Sequence, residues 1–401
     1  MNKHPSKEII GSFGDYLKDK KIVLCISSSV AAYRSVDLAR LLMRYGAEVY
    51  VVMSRKTRLL LTEDLMYWAT GNKVVIELSK ELEHIQLADY GRSDLIIFYP
   101  CTANTIGKIA NGIDDTSITS IASVALGSKI PIIIAPAMHE AMYSNPIVKE
   151  NIEKLKEYVT IIEPDIIENK AKVASYEKVV DASIRLLSSH KIKGKRILVT
   201  AGSTREYIDP IRVITNTASG RFGVEIAKHA YRLGADVTLI YGHGSATLPN
   251  LNIIRVDTTN EMLNAILSNL DNDILIMSAS VTDYKPSEKR DKKIESRENA
   301  RLRIELDATP KIINRVKEIN PKIKLIAFKA LYDVSKEELI DSAKRLMREC
   351  NADLVFANDV KKVSEDRIEG FVVGKDIRYI ELNDKSNIAR ILIDEISKLY
   401  P

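Results

Sequence analysis

The chain has 401 residues, more than one hydrophobic core usually supports, so two domains of roughly 200 residues each are expected. Apolar residues make up 45% and charged residues 28%, the balance of an ordinary globular protein, which argues against a disordered or membrane class. The net charge of +5 comes from 59 basic and 54 acidic residues mixed along the chain, without a basic tract or aromatic-interleaved patch, which argues against a nucleic-acid partner.

The opening stretch, MNKHPSKEIIGSFGDYLKDKK, lacks a continuous apolar core and a small-residue cleavage site, so it reads as a short leading helix rather than a signal peptide. The longest apolar runs, such as Leu95–Phe98 and Ile130–Ala137, fall far short of the roughly 20 residues that span a bilayer. Cys25, Cys101 and Cys350 lie far apart with no CxxC or Cys/His spacing, so neither a disulfide framework nor a zinc site is indicated. A cytoplasmic protein without a membrane partner is expected.

Lys21–Ile26 is a β-branched run, followed by Ser27-Ser28-Ser29 and a helical pattern from about Ala31 to Tyr45. Gly46-Ala47-Glu48 ends that helix, and Val49–Met53 completes a βαβ unit. Leu95–Tyr99 and Ile130–Ala135 are further buried strands, and the alternation predicts a parallel sheet with helices on both faces. Around Ser188–Lys195 the periodicity lapses into a polar, basic linker, which places the domains at 1–190 and 191–401. The scheme then restarts with a strand at Arg196–Thr200, a long glycine- and threonine-rich connection over Ala201–Gly223, and a helix at Val224–Leu233. Strands at Asp273–Met277, Lys324–Phe328 and Asp353–Ala357 follow, with helices at about Ser335–Cys350 and Lys385–Tyr400. Val281–Arg301 is highly charged and aperiodic, and reads as a mobile loop over a site or as a solvated linker. The expected fold class is α/β, with two doubly wound Rossmann-like domains.

Ligands of such sheets sit at the carboxyl ends of strands, where helix N-termini offer free N–H groups to phosphate. Ser27, Ser28, Ser29 and Ser54 occupy that place, with plain N-capping as the simple alternative. Tyr99-Pro-Cys-Thr-Ala-Asn-Thr-Ile-Gly-Lys108 and Ala135-Pro-Ala-Met-His-Glu-Ala-Met-Tyr143 each follow a buried strand. These motifs resemble the flavin-dependent phosphopantothenoylcysteine decarboxylase family over about residues 20–185, a family of flavodoxin-like fold. The resemblance implies that Ser27, Ser28, Ser29, Ser54, Thr102, Asn104 and Thr105 hold flavin mononucleotide (FMN), with Met138 against its ring. It implies a catalytic role for His84, within Glu83-His84-Ile85-Gln86-Leu87, and a carboxylate-binding role for His139, which stands where the family has asparagine. The family's clamp cysteine is missing from Glu168–Ala174, where Lys170 and Lys172 are stand-ins or plain surface lysines.

In the second half, Thr200–Glu206, Asp209-Pro-Ile-Arg212 and Asn216–Gly223 supply hydroxyls, with Gly202, Gly220 and Gly223 allowing close backbone approach. Ser278-Ala-Ser-Val-Thr-Asp-Tyr-Lys-Pro286, Lys293, Ile326-Ala-Phe-Lys-Ala330 and Phe356-Ala-Asn-Asp-Val360 follow. Together these resemble phosphopantothenate–cysteine ligase over about residues 194–400. The resemblance implies activation of 4′-phosphopantothenate by CTP, with Mg2+, through an acyl-cytidylate that the amine of cysteine then attacks. Ser278, Ala279, Asp283 and Phe328 would meet the nucleotide, and Pro310-Lys311-Ile312-Ile313 would start a helix facing its triphosphate. Lys293 would close on the reacting phosphate, while Arg212 and Asn216 would hold the acyl-phosphate region. The family's KxKK pattern is reduced here to Lys293-Ile-Glu-Ser296, and Lys344 and Arg348 stand in for two helix lysines at altered spacing.

The two halves in this order are similar to the bifunctional coenzyme A biosynthesis family, in an archaeal-like variant, which implies a homo-oligomer with trimeric decarboxylase cores and dimeric ligase domains. Two other readings are a decarboxylase fused to a nicotinamide-dependent reductase and a non-catalytic flavin-binding regulator. The first predicts a GxGxxG turn that Ala201–Gly223 lacks, and the second predicts loss of His84, which is present.

Overall fold

The computed structural model describes residues 4–167, 170–295 and 301–400, and the chain divides into two compact units, Met1–Ser188 and Ser189–Pro401. Among the described residues no helix is long and apolar enough to cross a membrane. Among the described residues the leading segment forms a short 3₁₀ turn at Pro5–Ile9.

In the first unit, β1 (Lys21–Ile26) is buried along nearly its whole length, because its side chains feed two cores. Ile22, Leu24 and Ile26 enter one core and Val23 and Cys25 the other, as a period of two demands. Each such aliphatic side chain contributes about 1.5–3 kcal/mol when fully buried. The helix expected from Ala31 arrives in two pieces, a 3₁₀ turn at Val30–Arg34 and then α1 (Ser35–Arg44). Ser29 caps the first piece by accepting the Ala31 N–H at 3.3 Å. The buried Ser35 hydroxyl is diverted to the carbonyl of Tyr99 at 2.8 Å, which pins the junction to the sheet.

The unit continues through β2 (Glu48–Met53), α2 (Glu63–Thr70), β3 (Val74–Val75), α3 (Glu83–Ala88), β4 (Leu95–Cys101), α4 (Ala103–Ala110) and α5 (Ser117–Gly127). It ends with β5 (Ile132–Pro136), α6 (Glu140–Tyr143), α7 (Pro146–Lys156), β6 (Thr160–Ile161), a hairpin of β7 (Asp165–Ile167) and β8 (Lys170–Lys172), and α8 (Tyr176–Leu187). The six-stranded sheet has the order β3-β2-β1-β4-β5-β6 and is parallel throughout. The order reverses between β1 and β4, so the loops leaving these two strands diverge to opposite faces and open a crevice.

In the second unit, β9 (Arg196–Ala201) leads not to an open connection but to a small hairpin, β10 (Arg205–Tyr207) and β11 (Val213–Thr215), before α9 (Arg221–Arg232). Then come β12 (Asp236–Tyr241), β13 (Asn252–Arg255), α10 (Thr259–Leu267), β14 (Ile274–Met277), β15 (Tyr284–Pro286), β16 (Leu306–Ala308), α11 (Ile312–Ile319) and β17 (Lys324–Leu331). The chain closes with α12 (Lys336–Cys350), β18 (Leu354–Asp359), β19 (Arg367–Val373), β20 (Ile377–Asp384) and α13 (Lys385–Ser397). The eight-stranded sheet runs β13-β12-β9-β14-β17-β18-β19-β20, parallel from β13 to β18 and antiparallel at β19 and β20. Its order reverses between β9 and β14, whose ends lie level because Met277 pairs with Thr200.

The segment expected to be a loose loop after Val281 is partly structured. Tyr284 pairs with Ala308 and Pro286 with Leu306 in a two-stranded ribbon, and Ile294 is buried. Residues 296–300, including Ser296 of the reduced lysine motif, lie outside the described residues.

Candidate active sites

The crevice at the carboxyl ends of β1 and β4 is a cleft of about 680 Å³. Its lining includes Ser27, Ser28, Ser29, Ser54, Thr102, Asn104, Thr105 and Met138, every residue that the sequence put around a flavin. Ser27 has a bracing part. Its buried hydroxyl donates to the Pro100 carbonyl at 2.7 Å and accepts the Thr102 N–H at 3.0 Å, which locks the β1 loop to the β4 loop. Thr102 caps α4, accepting the Thr105 N–H at 3.4 Å, and Ser54 contacts the Thr57 hydroxyl at 2.8 Å. Asn104 is exposed on the first turn of α4, and Met138 packs against the adjacent core.

Sequence reasoning missed Arg55, Lys56, Lys108, Thr116, Thr119 and Met142, which also line the cleft. Arg55 and Lys56 follow Ser54 directly, and that adjacency was the available signal. Thr116 and Thr119 form the capping box of α5, so α4 and α5 both start at this cleft. Converging N–H groups, hydroxyls and cations suit a phosphorylated ligand, and Met138 with Met142 supplies an apolar wall.

His84 and His139 are not among the residues lining the cleft of their own chain. His84 sits in the first turn of α3, after Leu82 in the left-handed region, and its buried Nδ1 has no hydrogen-bond partner among the described residues. His139 is exposed and caps α6, its Nδ1 accepting the Ala141 N–H at 3.2 Å. Lys172 is half-buried at the end of β8, while Glu168, Asn169 and the Lys170 side chain lie outside the described residues.

In the second unit the β9 and β14 ends are bound together. The Ser278 hydroxyl donates to the Thr200 carbonyl at 2.8 Å, and the Ala279 N–H donates to the Thr200 hydroxyl at 3.2 Å. Gly202 has φ +79°, and a Cβ there would lie 2.6 Å from the His243 carbonyl oxygen, so only glycine fits. Asn216 donates to the Ser280 hydroxyl at 3.0 Å and the Val281 carbonyl at 3.1 Å, which brings the β11 end beside the Ser278–Asp283 segment. Phe328 is half-buried, in contact with Phe222 at 5.8 Å and Phe356 at 5.5 Å between ring centroids.

Four further predicted nucleotide residues, Asp283, Lys311, Ile312 and Ile313, meet around the start of α11. Asp283 pairs with Lys311 at 2.6 Å on the surface, a contact of the kind worth only about 0–1 kcal/mol, so a ligand can displace it. Ile312 is buried in the core and Ile313 packs against that core, leaving backbone and the exposed Lys311 side chain at the start of α11 to face a ligand. Lys293, Lys344 and Arg348 are exposed. Sequence reasoning gave no role to Asp209, although Asp-Pro ahead of Arg212 is a turn signal. It also missed Tyr207, His243 and Asp257, whose side chains form a connected cluster, with the Tyr207 hydroxyl 2.6 Å from Asp257.

Comparison with known proteins matches both units. A flavoprotein family model covers residues 12–188, and the model of the DNA/pantothenate metabolism flavoprotein C-terminal domain covers residues 192–400. The coenzyme A biosynthesis bifunctional protein CoaBC of Thermococcus kodakarensis is 46% identical over 403 residues, spanning 99% of each chain. That of Methanocaldococcus jannaschii is 36% identical over 99% of this chain and 98% of its own, and that of Bacillus subtilis is 33% identical over 86% and 87%. The reductase and regulator readings are not favoured by these matches, and the hairpin β10–β11 fills the connection where a reductase would need a tight dinucleotide turn. The chain belongs to the CoaBC family of bifunctional coenzyme A biosynthesis enzymes, in which a flavoprotein decarboxylase half is followed by a phosphopantothenate–cysteine ligase half.

Proposed function

We propose that residues 1–190 carry an FMN-dependent decarboxylase and residues 191–401 a CTP- and Mg2+-dependent ligase, both in the cytoplasm, with the ligase acting first and its product passing to the decarboxylase. The observation that carries the first assignment is the single cleft lined by all eight expected flavin residues. Ser28, Ser29, Ser54, Thr102, Asn104 and Thr105 would hold the phosphate and ribityl hydroxyls, one phosphate being matched by the starts of α4 and α5. A bound flavin would supply two-electron redox chemistry, accepting electrons from the cysteinyl part of 4′-phosphopantothenoylcysteine so that CO2 could leave and returning them to the enethiol. Met138 keeps water from the ring face, His139 accepts or donates a hydrogen bond at the substrate carboxylate, and His84 moves a proton near the sulfur. Homo-oligomeric assembly, with trimeric decarboxylase cores and dimeric ligase units, accords with His84 and His139 lying off the cleft of their own chain.

In the ligase, a carboxylate oxygen of 4′-phosphopantothenate attacks the α-phosphorus of CTP and pyrophosphate leaves, its charge being what Mg2+ would offset. The amine of cysteine then attacks the acyl carbon, the C–O bond to the phosphate breaks, and CMP departs. Arg212 and Asn216 hold the acyl-phosphate, Lys293 offsets its charge, and Asp283, released from Lys311, accepts from the cytosine amino group. Ser278, Ala279 and Phe328 form the seat of the nucleotide, and the backbone N–H groups of Lys311, Ile312 and Ile313, following Pro310, face its phosphates.

The test is a combined assay. Yellow purified protein supplied with CTP, cysteine, Mg2+ and 4′-phosphopantothenate yields 4′-phosphopantetheine, CO2 and pyrophosphate, and ATP in place of CTP gives little product. Protein that stays colourless after refolding with FMN removes the first assignment, and equal rates with ATP remove the nucleotide preference.

A further inference from the structure

Asp209 is fully buried in the turn joining β10 and β11. One carboxylate oxygen accepts the N–H groups of Ile211 and Arg212, each at 2.8 Å. The other accepts the Arg212 guanidinium and, at 3.2 Å, the N–H of Ile294. Arg212 also donates to the Ile294 carbonyl at 3.2 Å, the Arg290 N–H donates to the Ile208 carbonyl at 3.0 Å, and Lys289 lies 5.2 Å from the centre of the Tyr207 ring. The segment around Lys293 is thus stitched to the turn that bears Arg212, with Ile294 buried between them and Lys293 left exposed. Burial alone would push the Asp209 carboxyl up, but the N–H donors of Arg212, Ile211 and Ile294 and the Arg212 side chain hold it well below the usual carboxylate range.

We propose that Asp209 is a positioning residue that couples the two arms of the ligase site, so that substrate held by Arg212 and nucleotide met by Lys293 strengthen each other's binding. This rests on the ligase roles given above to Arg212 and Lys293. A guanidinium has five donors in a rigid fork, so Arg212 can keep Asp209 and Ile294 on one nitrogen while its remaining N–H groups take a substrate anion. An anion on that face fixes the fork, the fork fixes Ile294, and Ile294 fixes the reach of Lys293. Such coupling is reciprocal, so the nucleotide must raise the affinity for 4′-phosphopantothenate by the same factor.

Hydrogen exchange across residues 287–295 of the full chain reads the link directly, with 4′-phosphopantothenate alone as the probe. In the wild type the probe slows exchange there about tenfold. In Asp209→Asn the slowing disappears, and the KM values for CTP and 4′-phosphopantothenate rise together by about ten- to a hundredfold, as expected when a buried charged acceptor is lost. Ile294→Pro, which removes the donor arriving from the loop together with the buried Ile294 side chain, reads the same coupling if Asp209→Asn does not fold. The proposal is overturned by wild-type protein showing no slowing, by a folded variant that retains it, or by a rise in one KM alone. Loss of active fraction at unchanged KM would equally overturn it, as the mark of a purely structural carboxylate. Full ligation by Arg212→Ala and Lys293→Gln is a separate outcome, which removes the site assignment itself.

Discussion

Ser278 donates its hydroxyl to the carbonyl oxygen of Thr200 at 2.8 Å, tying β14 to β9 at the point where the sheet of the second unit reverses its strand order. Gly223, in the first turn of α9, lies so close that a Cβ would collide with that hydroxyl and come within 2.6 Å of the Ala201 Cβ. Gly223→Ala must therefore push α9 off the strand ends. Overpacking of this kind costs about 1–3 kcal/mol. Calorimetry is expected to show a lower melting temperature for the ligase unit, with ligation impaired and decarboxylation of supplied 4′-phosphopantothenoylcysteine unchanged. Wild-type melting would show that the helix has room that the backbone geometry denies.

Flavin retention separates capping from contact. Thr102→Val removes both the α4 cap and a hydroxyl lining the cleft, so it should lose about 0.5–2 kcal/mol of stability as well as flavin. Asn104→Ala is expected to lose flavin without that stability loss, because Asn104 is exposed and caps nothing. The ratio of visible to ultraviolet absorbance after gel filtration reports the first quantity and thermal melting the second. Full flavin content in Asn104→Ala would remove that residue from the contact set.

Lys293 is exposed on a segment otherwise stitched to the β10–β11 turn, so its charge is available without a structural duty. Lys293→Gln keeps length and polarity while deleting the cation. A lost electrostatic contact to a reacting phosphate slows ligation on the order of a hundredfold or more. Decarboxylation should proceed at the wild-type rate, since it belongs to the other unit. Ligation within a factor of about two of wild type would transfer the role to another cation.

The first unit was legible because its signals are local. Parallel strands buried on both faces read as unbroken apolar runs, and a serine or threonine directly after β1, β2 and β4 marks the strand–helix junctions that become the cleft. The limits lie where contacts are remote in sequence. Ser35 seemed part of a continuous helix because nothing nearby shows that its hydroxyl is claimed by Tyr99, 64 residues away. The segment after Val281 looked loose because its partners, Asp209 and Ile208, lie about 80 residues earlier, and charge without periodicity is also what a stitched loop looks like. The β10–β11 hairpin was hidden for a related reason, its strands being three residues each, shorter than any periodicity can register. The alternation that identifies strands likewise could not say that Ile312 and Ile313 turn inward, since that depends on the core they meet.

A buried histidine supplies a prediction tied to pH. His229 lies between α9 and α13, 2.9 Å from the Ser386 hydroxyl, and is almost fully buried. Burial, reinforced by the positive charges of Arg232, Arg390 and Lys228, pushes its pKa down to about 3. In the unfolded chain the same ring takes up a proton near pH 6.5. Above that value neither state is protonated and the full stability is present. As pH falls below it the unfolded state binds the proton and the folded state does not, so stability declines until about pH 3. Each pH unit costs at most about 1.4 kcal/mol, so the step from 6.5 to 5 removes about 2 kcal/mol, and the melting temperature of a unit this size drops by roughly 4–8 °C. His229→Leu is expected to melt lower at pH 7.5, having lost the Ser386 contact, yet to lose much less on going to pH 5. Parallel pH profiles for the variant and the wild type would mean that His229 is protonated in the folded state, and that α9 and α13 open enough to let water reach it.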